Sequence, residues 1–440
     1  MIKNWFKNIG PGPLVAAAFI GPGTVTLCTL AGVNYGFHLL WAMLLSILAT
    51  VVLQEMAARL GIISQKGLSE VIKSEIKHPI ANKLIMLLIL SAIVVGNASY
   101  EAGNISGGIL GLETIVGEIR VELGLYSINI LSLVVGVIAF TLLYIGNYKF
   151  LERVLVSLVL LMSVSFLITA FLTKPDIMSI FKGALVPSVP EGSLLTIIGL
   201  IGTTVVPYNL FLHASLVKEK WSDQKDLKAV RKDTIISIVL GGLVSMAIII
   251  SASSIGLGEI SNASDLAKSL APLYGDFASY FLGIGLFAAG ITSAITAPLA
   301  AAYVARGCFG WKSGLKSKQF RAVWIFILLL GVVFSSLGIK PIEIIKFAQV
   351  ANGILLPVIA GVLLWVVNKK AVLGNYVNSK FQNSLGIIIL IDTKNKKKVL
   401  KEDIRFGPNP AAPCCNSPDG NLRAGLTAAI LELLTKVSFI

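Results

Sequence analysis

The chain reads as an all-α polytopic membrane protein, and three observations lead there. Hydrophobic residues make up 55% of its 440 residues and charged residues only 14%, where a soluble domain carries about 25% charged residues. The apolar residues gather into ten stretches, most near the roughly 20 residues that a helix needs to cross a bilayer. The basic residues concentrate in every second connection between those stretches, the pattern of loops held on the cytoplasmic side.

The ten spans fall at about 13–34, 38–60, 82–110, 126–146, 150–173, 193–217, 233–257, 276–306, 322–338 and 343–367. Lys3 and Lys7 precede the first. Arg59, Lys66, Lys73 and Lys77 lie at or beyond the end of the second, and Lys149 and Arg153 flank the fourth-to-fifth junction. Six basic residues between Lys218 and Lys232 separate the sixth and seventh, five between Arg306 and Arg321 the eighth and ninth, and Lys369 and Lys370 follow the tenth. This parity places the N-terminus and the segment after span ten in the cytoplasm, in a cell membrane. The short basic stretch Met1–Asn8 leads into an apolar run that continues as a span, so it reads as a retained first helix, not a cleaved signal. The formal net charge of +14 is accounted for by these loops, and no nucleic-acid partner is expected. The cysteines (Cys28, Cys308, Cys414 and Cys415) have the spacing of neither a zinc site nor a disulfide framework.

Two spans are interrupted. Gly21-Pro22-Gly23-Thr24 breaks the first, and Val206-Pro207-Tyr208-Asn209 breaks the sixth. A proline inside a helix removes a backbone hydrogen bond and clashes with the preceding turn. In lipid the freed carbonyl is costly unless protein or a wet cavity satisfies it. By the loop parity, span one starts inside and span six outside. Spans one to five and six to ten therefore run as inverted repeats, with paired broken helices meeting near mid-membrane, the plan of many secondary transporters. The expected organisation is a core over 1–370, with repeat one about 10–173 and repeat two about 193–367. An uncertain C-terminal segment, 371–440, holds a partial eleventh helix around Leu385–Ile391, a basic run at Lys394–Lys398 and a loop-like stretch at Gly407–Gly420.

The side chains at the breaks decide what they bind. Gly21, Thr24 and Thr26 surround the first; Thr203, Thr204, Val206, Tyr208 and Asn209 surround the second. Hydroxyls, an amide and backbone carbonyls suit a neutral or zwitterionic solute or a weakly held hard cation. They suit a soft transition metal poorly, since that favours Cys, Met or His. The plainer alternative is that the threonines bond their own helix carbonyls and the prolines only kink. Gln349 and Asn352 in span ten put amides at midplane depth, to complete the site or to cross-link helices. Ionisable residues inside a membrane are functional candidates. Glu101, beside Asn97, Tyr100 and Asn104, is the best-placed group for proton or cation coupling, against the alternative of a protonated acid bonded to a neighbouring helix. His213 is either a proton relay or a satisfied structural histidine. Glu55 stands four residues before Arg59 and reads equally as a local ion pair. Gly103, Gly107 and Gly111 form a stripe suited to close helix packing.

At these positions the chain resembles the Nramp family of divalent-metal transporters, over residues from about 9 to about 390. The resemblance rests on Ile9-Gly10-Pro11-Gly12 leading to the first break, on Tyr35-Gly36-Phe37 with Leu39-Leu40-Trp41, on Gln54 with Ala58-Arg59-Leu60-Gly61, and on Pro207 followed by Asn209-Leu210-Phe211-Leu212-His213. Asn375-Tyr376-Val377-Asn378-Ser379 is loosely similar to the family's connector after span ten. The resemblance implies the inverted five-helix repeat known as the LeuT fold, with broken helices one and six, and transport by alternating access. It also exposes departures. Gly21 stands where the family has a metal-binding Asp, and Thr24 where it has Asn. Val206 and Tyr208 replace a Met ligand and a His, and Thr203 aligns with an Ala whose carbonyl binds metal. Asn104 and Gly107 fall where the family has a third-helix carboxylate pair, leaving Glu101 as the nearest acid. Gln349 keeps the tenth helix polar.

The expectation is a secondary transporter on this scaffold whose altered site (Gly21, Thr24, Thr203, Val206, Tyr208, Asn209, Gln349) disfavours tight Mn²⁺ or Fe²⁺ and takes a small polar solute or a weakly bound cation. Glu101, Asn104 and His213 are the coupling candidates, and no cofactor is expected. The alternatives are the family's own divalent-metal transport and a non-transporting membrane receptor or scaffold. No nucleophile–base pair suggests an enzyme.

Overall fold

The computed structural model describes residues 20–390 apart from 124, 125, 147, 148, 257, 259, 312 and 313. The basic N-terminal stretch, the Lys394–Lys398 run, the loop-like Gly407–Gly420 stretch, Cys414 and Cys415 lie outside the described residues.

In chain order the helices are α1 (Pro22–Tyr35), α2 (Leu40–Ser64), α3 (Leu68–Glu75), α4 (Pro79–Val116), α5 (Ile130–Ile145), α6 (Lys149–Leu172), α7 (Ile177–Leu185), α8 (Leu194–Thr204), α9 (Pro207–Lys220), α10 (Leu227–Ser253), α11 (Ala263–Ala267), α12 (Ala271–Tyr274), α13 (Ala278–Phe309), α14 (Lys318–Ser336), α15 (Pro341–Val367) and α16 (Lys370–Leu373). A further helix runs over 380–390, longer than the apolar Leu385–Ile391 core that suggested it. Among the described residues, eight helical stretches are long and apolar enough to cross a membrane, and α5 is a shorter apolar helix.

Most predicted spans match within a few residues, and the departures have local causes. The fourth span starts at Ile130 and not 126, because Tyr126–Asn129 pairs antiparallel with Arg120–Leu123 in a hairpin (β1 and β2). The Asn129 side chain then accepts from Leu131 N at 3.0 Å and caps α5. Helix α4 has 38 residues, about 57 Å at 1.5 Å per residue, so it overruns the roughly 30 Å apolar layer. The amphipathic α7 was not foreseen. Asp176 caps it, accepting from Met178 N and Ser179 N at 3.2 and 3.1 Å.

Two groups of helices emerge from the packing. Helix α10 lies against α1 and α2, and α9 against α2. Helix α4 lies against α13, α14 and α15. Within the second group α4 and α13 run antiparallel: a Cβ on Gly111 would meet the Phe287 backbone, one on Gly290 would meet Gly108, and Asn97 Nδ2 donates to Ala297 O at 2.8 Å. The glycine stripe of α4 thus does what close packing requires, yet each member meets a different neighbour. Gly103 faces Ala348 of α15, Gly107 the ring of Pro22, and Gly111 the backbone of α13.

Candidate functional site

Both interruptions are true helix starts. Pro22 is the first residue of α1 and Pro207 the first of α9, each in the first turn, where an N–H has no acceptor within the helix. Gly21 and Val206 occupy the positions just before, in extended backbone, and neither supplies a side-chain cap. Between the halves of the sixth span, α8 ends at Thr204, and Val205 N–H closes it on Ile201 O at 2.9 Å. Pro207 has no N–H for the carbonyl four residues back, so the Thr203 C=O loses its helical donor.

The tertiary fold brings the breaks together. Thr24 Oγ1 and Thr203 Oγ1 are 2.8 Å apart, fully buried, across 179 residues of sequence. Span ten closes over them. A Cβ on Gly23 would strike the Gln349 amide, and one on Gly202 would strike the Gln349 carbonyl. Opposite, Gly107 of α4 lets the Pro22 ring approach where any side chain would collide. Tyr208, in the first turn of α9, meets Tyr100 of α4 edge-on with ring centroids 5.4 Å apart.

Several polar atoms here are buried without a partner: both side-chain amide atoms of Asn209, Oε1 of Gln349 and the Thr26 hydroxyl. A buried polar group left unpaired costs about 1–3 kcal/mol, so a concentration of them at two helix breaks marks a place shaped to receive something polar. Other expected members play different parts. Thr204 back-bonds to Leu200 O at 2.9 Å, the plainer of the two roles considered for these threonines. Val206 is buried and apolar, and its carbonyl already accepts the Asn209 N–H at 3.0 Å.

The coupling candidates separate by helix face. Glu101 follows Tyr100 by one residue, about 100° around the helix, and packs against Gly331 of α14. Asn104 Nδ2 donates to Glu101 Oε2 at 3.3 Å, while Oε1 has no partner. Glu101 therefore stands behind the tyrosine pair, within electrostatic reach of Tyr100 and Tyr208. His213 is a satisfied cross-link: Nδ1 lies 2.9 Å from Gln54 Oε1 and Nε2 lies 3.4 Å from Thr234 Oγ1, joining α9 to α2 and α10. Asn352 lies opposite Gly96 of α4 with its Nδ2 unpaired. Among the described residues no three His, Cys, Asp or Glu side chains converge as a metal-ligand set, and Cys28 and Cys308 are buried free thiols. Tyr100 was missed as a site residue because only the α4–α9 crossing aims it at Tyr208.

The model of the Nramp family (natural resistance-associated macrophage protein-like) matches residues 12–393. The chain belongs to the Nramp family. Among curated Nramp relatives, the divalent metal cation transporter MntH of Clostridium acetobutylicum is 27% identical over 399 residues, 88% of this chain and 89% of that protein. MntH of Bacillus subtilis is 26% identical over 397 residues, 87% and 89% of the two chains. The Eremococcus coleocola manganese transporter superposes with a TM-score of 0.71 at 19% identity, covering 99% of this chain and 94% of that one. MhsT, solved with L-phenylalanine, gives 0.54 at 14% identity over 88% and 97% of the chains, and Mhp1, a nucleobase-cation-symport-1 family transporter, gives 0.53 at 13% over 90% and 93%. The fold is thus the LeuT-like inverted repeat of a multi-pass Nramp membrane protein, as the two breaks and the loop parity led us to expect.

Proposed function

We propose that this Nramp protein is a secondary transporter of the cell membrane, with its N-terminus in the cytoplasm, that carries a divalent cation by alternating access through the junction of the two breaks. The halves at about 10–173 and 193–367 are its inverted repeats. One observation carries the reading: the Thr24–Thr203 contact unites the two breaks amid buried, unpaired amide atoms. The named relatives are divalent metal cation transporters, which supports a cation as cargo. The donors set its kind. Thr24, Thr203, Tyr208, Asn209, Gln349 and the freed Thr203 carbonyl offer oxygen; among the described residues no carboxylate stands at the breaks, and the one thioether beside them, that of Met43, already accepts from Thr204 Oγ1 at 3.6 Å. A unit charge 4 Å from another is worth about 4 kcal/mol at an effective dielectric of 20, and about 1.4 kcal/mol is tenfold in affinity. Losing an Asp at Gly21 therefore weakens a dehydrated transition metal by orders of magnitude. A hard cation that keeps part of its water shell loses least. Glu101, behind Tyr100 and Tyr208, is the carboxylate that couples protons to this movement.

A second reading has its own support. The uncapped N-termini of α1 and α9 both meet the site, and helix N-termini favour negative charge. A small zwitterionic solute fits that field.

Uptake into proteoliposomes separates the two. Saturable Mg²⁺ or Mn²⁺ uptake with half-saturation far above that of a carboxylate-bearing Nramp transporter supports the cation reading, and Gly21→Asp with Val206→Met then tightens Mn²⁺. Metal uptake no faster than in empty liposomes, alongside uptake of a labelled amino acid, would replace it with the second.

A further inference from the structure

A second buried polar cluster lies well away from the breaks, at the end of α2 that loop parity assigns to the cytoplasm. Its centre is Arg59, with a side chain only 1% exposed. The guanidinium Nε donates to Glu55 Oε1 at 3.1 Å and Nη2 to Glu55 Oε2 at 3.2 Å. The same Nη2 reaches Asn378 Oδ1 at 2.6 Å, and Nη1 donates to the Tyr376 carbonyl. Glu55 is shared: its Oε1 also accepts from Arg231 Nε of α10 at 2.7 Å. Asn378 is held from the other side, with Nδ2 2.9 Å from Asn383 Oδ1.

The cluster crosses a boundary between parts of the fold. Glu55, Arg59 and Arg231 sit on α2 and α10, which pack with α1 and α9 around the breaks. Tyr376 and Asn378 lie beyond α15, the helix that packs on α4. A second tie spans the same end: Lys218 Nζ of α9 lies 2.9 Å from Glu70 Oε2 of α3, and Tyr303 of α13 donates to Glu219 at 3.3 Å. Closer to the breaks, the Tyr208–Tyr100 pair joins α9 to α4. Any movement that opens the site toward the cytoplasm by parting the α1–α2–α9–α10 group from its neighbours must release these contacts.

We propose that the Arg59–Asn378 contact, backed by Glu55 and Arg231, is a latch that holds the cytoplasmic half of the transporter closed, with Asn378 a positioning residue that sets how readily it opens. The chemistry explains why the partner is neutral. Arg59, Arg231 and Glu55 together carry one net positive charge. A carboxylate in place of the Asn378 amide would neutralise it and lock the contact; a neutral acceptor binds the guanidinium strongly enough to close and weakly enough to release. The inference goes beyond the proposed cargo and does not depend on it.

The test reads access, not transport. Thr203→Cys, with the four native cysteines replaced by alanine, is labelled by a small membrane-impermeant methanethiosulfonate in inside-out and right-side-out vesicles. Asn378→Ala is expected to speed labelling several-fold from the cytoplasmic face and to slow it from the outer face. Asn378→Asp is expected to do the reverse. Arg231→Gln, at the half-exposed partner, should follow Asn378→Ala with a smaller change and the least disturbance of packing. Labelling that Asn378→Asp and Arg231→Gln leave unchanged on both faces would overturn the latch, as would faster labelling on both faces together, which marks general loosening.

Discussion

The junction of the breaks and the Arg59 cluster are both buried and polar, and they differ in one respect that separates their roles. Around Arg59 the guanidinium and the Glu55 carboxylate have found partners, on elements far apart in sequence. At the breaks, Asn209 and Gln349 keep polar atoms that find no partner among the described residues. A satisfied network stabilises one conformation, whereas an unsatisfied one stores a cost that a bound polar ligand can remove. Stability should therefore reside in the first region and cargo recognition in the second.

The sharpest way to break this contrast is Arg59→Ala. It leaves Arg231 as the one remaining arginine on Glu55 and takes the guanidinium from the Tyr376 carbonyl and Asn378 Oδ1, and each buried polar group left unpaired costs about 1–3 kcal/mol. The expected outcome is a large fall in monodisperse yield and thermal midpoint in detergent. A stable, monodisperse variant would mean that the cluster is not structural. Next is Gly107→Ala, whose added methyl must displace the Pro22 ring. Overpacking of this kind costs about 1–3 kcal/mol, and uptake should fall by more than tenfold because the first break moves. Wild-type uptake would show that the ring has room to shift.

Asn209→Ala tests the other side of the comparison. Uptake should drop at least tenfold while the thermal midpoint stays put or rises, since two unpaired buried atoms are removed. A marked loss of stability would show that Asn209 holds the fold and not the cargo. A smaller effect is expected from Thr24→Val and Thr203→Val, alone and together. One hydroxyl–hydroxyl bond is worth about 1 kcal/mol, so the double variant should cost little more than either single one, as a thermodynamic cycle on stability would reveal. Smallest is the response of α7 to acid. Hydrogen bonds from the Ser179 hydroxyl and from the Ser179 and Met178 N–H groups hold the Asp176 carboxyl below its ordinary value. Its capping contribution is therefore present above the ordinary carboxylate value, about 3.9, and is lost as pH falls through the depressed one. Amide exchange in α7 should stay flat through neutral pH and rise only in strong acid.

Much of this molecule was legible before any coordinates. The spans follow from apolar length, and both breaks from prolines set inside apolar runs. Local chemistry alone dictates these features. Glu55 and Arg59 were readable as a pair because four residues make one helical turn, a distance internal to one element. Arg231 was not, since nothing in a basic loop-proximal stretch announces a carboxylate 176 residues earlier in the chain. The same holds for Tyr100 and for Asn378, whose roles depend on which helix crosses opposite.

What the sequence determined by itself was therefore the inventory: which apolar spans exist, where they must break, and which donors each break can offer. The tertiary structure decided the assignments. It paired Thr24 with Thr203, turned Glu101 away from the breaks toward Gly331, tied His213 into a cross-link and left Asn209 unpaired. The physical reason is that periodicity and proline chemistry act within a few residues, while a side chain's partner is chosen by packing between helices whose order in space no local pattern encodes.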